Sequence, residues 1–189
     1  TSMTMVSKYL KKVNEALTDI DELVLDAVAF HLMRFKGHVW VLGNGGSHAN
    51  ASHLVLHLVD NKVAAHDLMA ESSLYSARAN DMSYGTAASA ILNQVARPGD
   101  ILFVISGSGN SDNVLDAVDT AQSSEMITFG LLGFGGGKSA VRCNAAVVLN
   151  SNDYGAIEDA HSVCVHILAA KMSEIASMDF TAFSKSSGD

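Results

Sequence analysis

The chain has 189 residues, of which 48% are hydrophobic, so it can form one globular domain with a full core. Its formal net charge of −8 disfavours binding to nucleic acid or to an anionic membrane through overall electrostatics. No apolar run reaches the roughly 20 residues of a membrane span, and no signal peptide is visible. Cys143 and Cys164 lie in apolar surroundings without metal-site spacing, which favours a reduced, cytoplasmic location.

The hydrophobic pattern predicts an α/β domain with a helical arm at its amino-terminal end. Apolar side chains at helical spacing over residues 5–35, interrupted near Thr18-Asp19, indicate two helices or one bent helix that could pack against another subunit. Strands then alternate with helices, which predicts a doubly wound parallel sheet flanked by helices. The predicted strands are 39–42, 64–69, 101–105, 126–132 and 145–149, and the predicted helices are 46–59, 86–96, 111–122 and 157–178.

One domain is expected to account for residues 1–189, because the sequence shows no internal repeat and no low-complexity linker. Its core is expected over about residues 5–178. Thr1-Ser2, before Met3, are interpreted as an expression remnant, and residues 184–189 as a disordered tail.

Two Gly/Ser-rich loops each follow a predicted strand and open a predicted helix. They read Gly43-Asn44-Gly45-Gly46-Ser47 and Ser106-Gly107-Ser108-Gly109-Asn110-Ser111. Helix N-termini carry unpaired N–H groups, glycine lets a ligand approach the backbone, and serine adds hydroxyl donors, so both loops could hold one phosphorylated ligand. The carboxyl ends of parallel strands are also where open α/β sheets bind ligands. The alternative is that both loops are ordinary turns, since neither matches a Walker A or dinucleotide pattern.

Histidines in two predicted helices are candidate metal ligands. His53 and His57 are four residues apart, so they project from one helix face with the spacing of a two-ligand metal clip; alternatively, they are merely partly buried. The final helix adds Glu158, His161 and His166, or is an amphipathic core helix with solvated histidines. Because eight residues of straight helix span about 12 Å, Glu158 and His166 could share a site only if Glu158 precedes the helix or they come from different copies.

The two loops and three further segments resemble the sugar isomerase (SIS) fold in order and spacing, and within it the phosphoheptose isomerase family. The further segments are Asn80-Asp81, Gly135-Gly136-Gly137-Lys138 and Ile157-Glu158-Asp159-Ala160-His161 running on to His166-Ile167-Leu168. The resemblance covers roughly residues 5–178. It implies a single SIS domain in a homotetramer with active sites between subunits. It also implies conversion of sedoheptulose 7-phosphate into D-glycero-D-manno-heptose 7-phosphate, in some members with zinc bound.

Residue roles follow from the same resemblance. His53 matches a zinc ligand, and His166 matches a residue that is both ligand and catalytic acid/base. Two positions depart from the family: its catalytic glutamate is His57 here, and the glutamine that opens its final helix is Glu158. The implied substrate- and phosphate-binding residues are Asn44, Gly45, Ser47, Asp81, Ser106, Gly107, Ser108 and Ser111.

The resulting hypothesis is a sugar-phosphate aldose–ketose isomerase with a divalent metal, expected to be zinc, at His53, His57, Glu158 and His166. The expected catalytic residues are His166, Glu158 and His57. Isomerisation needs a base that removes a proton next to a carbonyl and an acid that returns it, and Glu158 with His166 could do so if the metal leaves one of them free. Two alternatives stay open: a non-catalytic SIS scaffold similar to the replication-initiator-associating protein, and a sugar-phosphate sensor without turnover.

Overall fold

The computed structural model describes residues 2–186, so Thr1 and residues 187–189, at the two ends where a remnant and a tail were expected, lie outside the described residues. Helices and strands alternate from residue 38 onward, as the sequence predicts. The elements are α1 (Met5–Leu17), α2 (Glu22–Arg34), β1 (His38–Gly43), α3 (Gly46–Asp60), β2 (Ala64–Asp67), α4 (Ser72–Asp81), α5 (Tyr84–Val95), β3 (Ile101–Ser106), α6 (Asp112–Ser123), β4 (Ile127–Leu132), a 3-10 turn (Phe134–Gly136), α7 (Gly137–Ala140), β5 (Ala145–Val148) and α8 (Tyr154–Ser186).

The amino-terminal arm consists of two helices rather than one bent helix. Thr4 caps α1 by accepting a hydrogen bond from the Ser7 N–H, and Asp21 caps α2 in the same way from the Val24 N–H. Each cap satisfies an N–H group that has no partner within its own helix. The second cap explains why the chain restarts a helix directly after the break near Thr18-Asp19.

The five strands form one parallel sheet in the order β2-β1-β3-β4-β5. Every residue of the central strand β3 is buried, and its side chains alternate between two cores, with Phe103 on one face and Leu102 on the other. Helices α2, α3 and α8 cover the first face, while α4, α5 and α6 cover the second. The predicted doubly wound α/β fold is therefore confirmed. The chain moves outward from β1 to β2 and in the opposite direction from β3 to β5, which makes the β1–β3 boundary a topological switch point.

Three helices depart from the prediction: α4 and the four-residue α7 were not predicted, and α8 is longer than predicted. Helix α4 was not predicted, because its sequence has little apolar periodicity and Tyr75 is its buried residue. Helix α8 begins at Tyr154, three residues earlier than predicted, because the Asp153 side chain accepts a hydrogen bond from the Ala156 N–H at 3.0 Å and starts the helix there. It also continues to Ser186, past the expected start of the tail at Ser184. Within residues 2–186, no helix combines the length and apolar character needed to cross a membrane.

Candidate functional site

The two Gly/Ser-rich loops meet at the switch point of the sheet. Strands β1 and β3 are paired in parallel, with Gly43 opposite Ile105, so the first loop (residues 43–47) and the second loop (residues 106–111) leave the same edge side by side. Helices α3 and α6, which these loops open, both begin without a side-chain cap. Helices α1, α2 and α5 each have one, whereas α4 and α7 also lack one but do not follow the two loops. The N–H groups at the starts of α3 and α6 are therefore left for a ligand, as a phosphate site requires.

The first loop has a backbone shape that depends on glycine. Gly45 has φ +55°, a left-handed conformation that other residues rarely adopt. At Gly46, an added Cβ would collide with the Glu158 carboxylate, so the missing side chain lets that carboxylate lie against the start of α3. Ser47 follows in the first turn and is buried. The loop thus places an acidic group beside the N–H groups expected to bind an anion.

The second loop is shaped by its own serines. The Ser106 hydroxyl accepts a hydrogen bond from the Gly109 N–H at 3.0 Å, and the Ser108 hydroxyl accepts one from the Asn110 N–H at 3.1 Å. A hydroxyl that accepts in this way keeps its own hydrogen to donate. Ser111 is the N-cap residue of α6 but makes no capping bond with its side chain. The three hydroxyl groups can therefore contribute donors to the same anion.

Two residues that contact the loops were not identified as site residues from the sequence. The Tyr154 ring covers Gly107, where an added Cβ would lie 2.8 Å from Tyr154 Cδ1, and it also packs on Phe134 with ring centroids 4.7 Å apart. Asn113, in the first turn of α6, is paired with Asn44 of the first loop. Tyr154 precedes the predicted start of the last helix, and Asn113 is one polar residue inside a predicted helix. Their contacts with the loops depend on the tertiary structure and could not be predicted from the sequence.

Three histidines converge between helices α3 and α8, which lie side by side and run in the same direction. The ligand atoms of His53, His57 and His166 all lie within 4.8 Å of one another. The Nε2 atoms of His53 and His57 are 3.0 Å apart, and the His166 ring stands edge-on to both of their rings. Asn50 Nδ2 donates to the Glu158 carbonyl oxygen at 2.9 Å and helps to fix the register of the two helices ahead of the cluster. Two predicted ligands from one helix thus meet a third from the end of the chain.

The electrostatics at His57 favour its neutral imidazole form. Burial lowers the pKa of His57 below its usual value, and the neighbouring His53 and His166 lower it further. Neutral imidazole is the form that binds metals, and three such nitrogens are a donor set that suits Zn²⁺ and related ions. The three histidines could therefore hold a metal ion.

Other predicted site residues lie apart from the histidines. Glu158 is in α8 itself, eight residues before His166, so within one chain the two are separated by about 12 Å along the helix and Glu158 does not join the cluster. His161 is fully buried and contacts the Leu132 carbonyl oxygen, which makes it a core residue. Asp81 ends α4, is exposed and accepts a hydrogen bond from Asn80.

Known proteins share both the sequence pattern and the fold. The family model for the SIS domain matches residues 3–133. The phosphoheptose isomerase of Mycobacterium tuberculosis is 38% identical over 142 residues, which cover 72% of each chain. This chain belongs to the SIS-domain phosphoheptose isomerase family. The predictions of family and of enzyme class are thereby confirmed, and the chain is an isomerase.

Solved structures of phosphoheptose isomerases have the same architecture as this isomerase. The enzyme from Francisella tularensis matches with a TM-score of 0.83 at 26% identity, covering 91% of this chain and all of that one. GmhA from Neisseria gonorrhoeae matches with a TM-score of 0.80 at 27% identity, covering 88% of this chain and 94% of that one. At these coverages each match must include part of α8, which the SIS-domain match to residues 3–133 does not reach.

Proposed function

We propose that this isomerase converts sedoheptulose 7-phosphate into D-glycero-D-manno-heptose 7-phosphate. The observation that carries the proposal is the position of the Glu158 carboxylate, which lies against Gly46 at the uncapped start of α3. A base is therefore held beside the predicted phosphate site. In this arrangement the N–H groups of α3 and α6 and the hydroxyl groups of Ser106, Ser108 and Ser111 bind the phosphate, and Asp81 is assigned to the sugar hydroxyls.

The reacting end of the sugar is assigned to a site between two copies of the chain. Glu158 and the histidine cluster lie about 12 Å apart along α8, too far for both to act on adjacent carbons from one chain. His53 and His57 are only partly buried, and His166 is exposed, so the cluster is open to a neighbour. We assign the loops and Glu158 to one copy and the cluster to the adjacent copy of a homotetramer.

Glu158 is the proposed general base. Its carboxylate takes a proton from C1 of the ketose, the C1–C2 double bond forms, and the C2 carbonyl becomes an enediol oxygen. The Glu158 carboxyl group, whose proton can exchange with solvent, then delivers a proton to C2. One further proton moves from the C1 hydroxyl oxygen to the C2 oxygen as the aldehyde forms, so no oxidant or reductant is needed. A divalent cation, expected to be zinc, held by His53, His57 and His166 would polarise the carbonyl and hydroxyl oxygens. Because Glu158 lies outside its own chain's cluster, it remains available for proton transfer.

This function is tested by proton NMR in heavy water with sedoheptulose 7-phosphate and zinc-loaded protein. We expect aldose product and deuterium at the carbon next to the carbonyl. The Glu158→Gln variant should lose both signals by at least about 100-fold, because removing a general base costs about 10²–10⁴-fold in rate. Asp159→Asn is the matched control, since it makes the same chemical change one residue away, and it should keep near wild-type activity.

Removing the metal provides a second arm of the same test. Chelation or His166→Ala should abolish turnover while the protein stays folded. Turnover that survives both changes would exclude the cluster from the reaction. Binding of the sugar phosphate with neither product nor exchange would contradict the proposal and support a sensor or scaffold.

A further inference from the structure

A reciprocal pair of side-chain amides joins the two loops across the switch point. Asn44 Nδ2 donates to Asn113 Oδ1, and Asn113 Nδ2 donates to Asn44 Oδ1, each at 2.9 Å. Asn44 belongs to the first loop, and Asn113 is the second residue of α6, the helix that the second loop opens. Asn113 is only 2% exposed. The pair therefore links the two predicted phosphate-binding segments directly.

Two tyrosines determine how the pair is oriented. The Tyr84 hydroxyl donates to Asn44 Oδ1 at 2.6 Å, so this oxygen accepts two hydrogen bonds and has no further lone pair to offer. Asn113 Nδ2 also approaches the Tyr75 hydroxyl oxygen at 3.5 Å. Turning either amide over would bring two NH₂ groups together in a largely buried space, which is costly. Neither amide can therefore turn over without the other.

This arrangement changes the role expected of Asn44. Its carbonyl oxygen is fully used within the protein, so its side chain mainly fixes the loop rather than accepting from a ligand. The N–H groups of α3 and α6 are then held at a set separation before any ligand arrives. Donors that are already in place bind more tightly, because binding does not have to order them.

We infer that Asn113 is a positioning residue for phosphate binding, acting through Asn44 on the spacing of the two loops. The inference rests on the proposed function for the identity of the natural ligand, but the effect on inorganic phosphate is expected whatever sugar the phosphate carries. Asn113 is predicted to affect ground-state binding and to have little influence on proton transfer at Glu158.

The experiment compares Asn113→Asp with the wild type. The aspartate keeps the size and one acceptor oxygen but places a second oxygen against Asn44 Oδ1, which breaks half of the pair. We expect the Kd of inorganic phosphate, measured by calorimetry, and the KM of sedoheptulose 7-phosphate to rise together by about tenfold, as for the loss of one neutral hydrogen bond. The kcat should stay within about threefold. Unchanged phosphate affinity would overturn the inference.

Asn144→Asp is the matched control. Asn144 Oδ1 accepts from the Thr128 N–H at 2.8 Å and from its hydroxyl at 3.0 Å near the start of β4, at the opposite edge of the sheet. The same substitution there leaves the loops untouched, and phosphate affinity should not change. An equal loss of affinity in both variants would show a general effect of the added charge and overturn the inference.

A double-variant cycle tests whether the two amides act as a unit. If they do, Asn44→Ala combined with Asn113→Ala should weaken phosphate binding no more than the worse single variant. Multiplied effects would mean independent roles and overturn the inference. Should the Asn113 variants fail to fold, Tyr84→Phe tests the pair from its other side with Asn113 intact, and an unchanged Kd there would also count against it. Phosphate binding that depends on Asn113 in a protein without turnover would contradict the proposed function alone.

Discussion

His161 shows how one helix can carry histidines with opposite roles. Its ring is fully buried, with Nε2 placed 3.1 Å from the Leu132 carbonyl oxygen at the end of β4, where a neutral ring can donate. Burial lowers its pKa from 6.5 to about 4. His166, five residues later, points to α3 instead. The sequence alone does not distinguish the two histidines, because it does not show which face of α8 packs on the sheet and which packs on α3.

Acid should destabilise the protein through His161. Its folded pKa lies below its unfolded pKa, so between about pH 6.5 and 4 the unfolded chain binds the extra proton, and stability falls as the pH falls through that window. The loss should approach about 3 kcal/mol. Urea unfolding at pH 7.5 and pH 4.5 measures it. His161→Gln keeps an N–H donor without a titrating ring and should show a smaller loss; an equal loss in both proteins would assign the effect to other groups.

The second loop depends on a neighbouring Gly-rich segment for its shape. The Gly109 carbonyl oxygen accepts from the Ser139 N–H at 3.0 Å and from its hydroxyl at 2.8 Å, and Asn110 Oδ1 accepts from the Lys138 N–H at 2.9 Å. Gly109 has φ +64°, and an added Cβ would collide with the Gly136 carbonyl. The Gly-rich segment Gly135-Gly136-Gly137-Lys138, together with Ser139, therefore supports the predicted phosphate site.

Alanine substitutions at two glycines distinguish the cost of backbone strain at positive φ from the cost of a steric clash with the added Cβ. Gly99 also has a positive φ, +86°, but an added Cβ there would meet nothing within 4 Å. Gly99→Ala should therefore cost about 1 kcal/mol for the left-handed backbone alone. Gly109→Ala should cost more, about 2–4 kcal/mol, because a backbone group must also move. Chemical denaturation measures the free energy of unfolding of both variants. Equal losses would mean that the second loop can move away from the added Cβ at little energetic cost.

The sequence predicted elements best where burial repeats regularly. Four of the five strands are short apolar runs, and all five were predicted to within about two residues, whereas α4 buries little and was missed. The pair His53 and His57 followed from helical spacing alone. The contribution of His166 depended on α3 and α8 lying parallel, and the contact of Glu158 with Gly46 depended on the exact start of α8. Contacts between distant segments depend on how the elements are arranged, and the local hydrophobic pattern does not determine that arrangement.

At the scale of the whole molecule, exposed apolar side chains favour assembly. On α3, Leu56 and Val59 are each about half exposed, on the helix that also carries His53 and His57. Phe30 on α2 is 55% exposed. Such residues commonly mark protein interfaces when they are grouped. A homotetramer and a cytoplasmic location remain predictions of the sequence.

Introducing a charge on the exposed side of α3 should weaken assembly of the protein without preventing metal binding. Val59→Glu is expected to lower the mass measured by light scattering and to reduce turnover at least about tenfold, because a buried unpaired carboxylate is costly in an interface. Zinc should still bind at one ion per chain, since the three histidines belong to one chain. Val141→Glu, at an 87% exposed valine near β5, is the control and should assemble normally. A Val59→Glu variant of unchanged mass would exclude this face of α3 from the interface.

The histidine cluster joins a helix from the first third of the chain to the last helix. During synthesis on the ribosome, His53 and His57 leave the exit tunnel long before His166 has been translated. A nascent chain can therefore offer an ion two ligands before it offers three, and the complete set exists only once α8 has emerged and docked on α3. Binding of an ion by all three histidines would then require that α8 has already docked on α3.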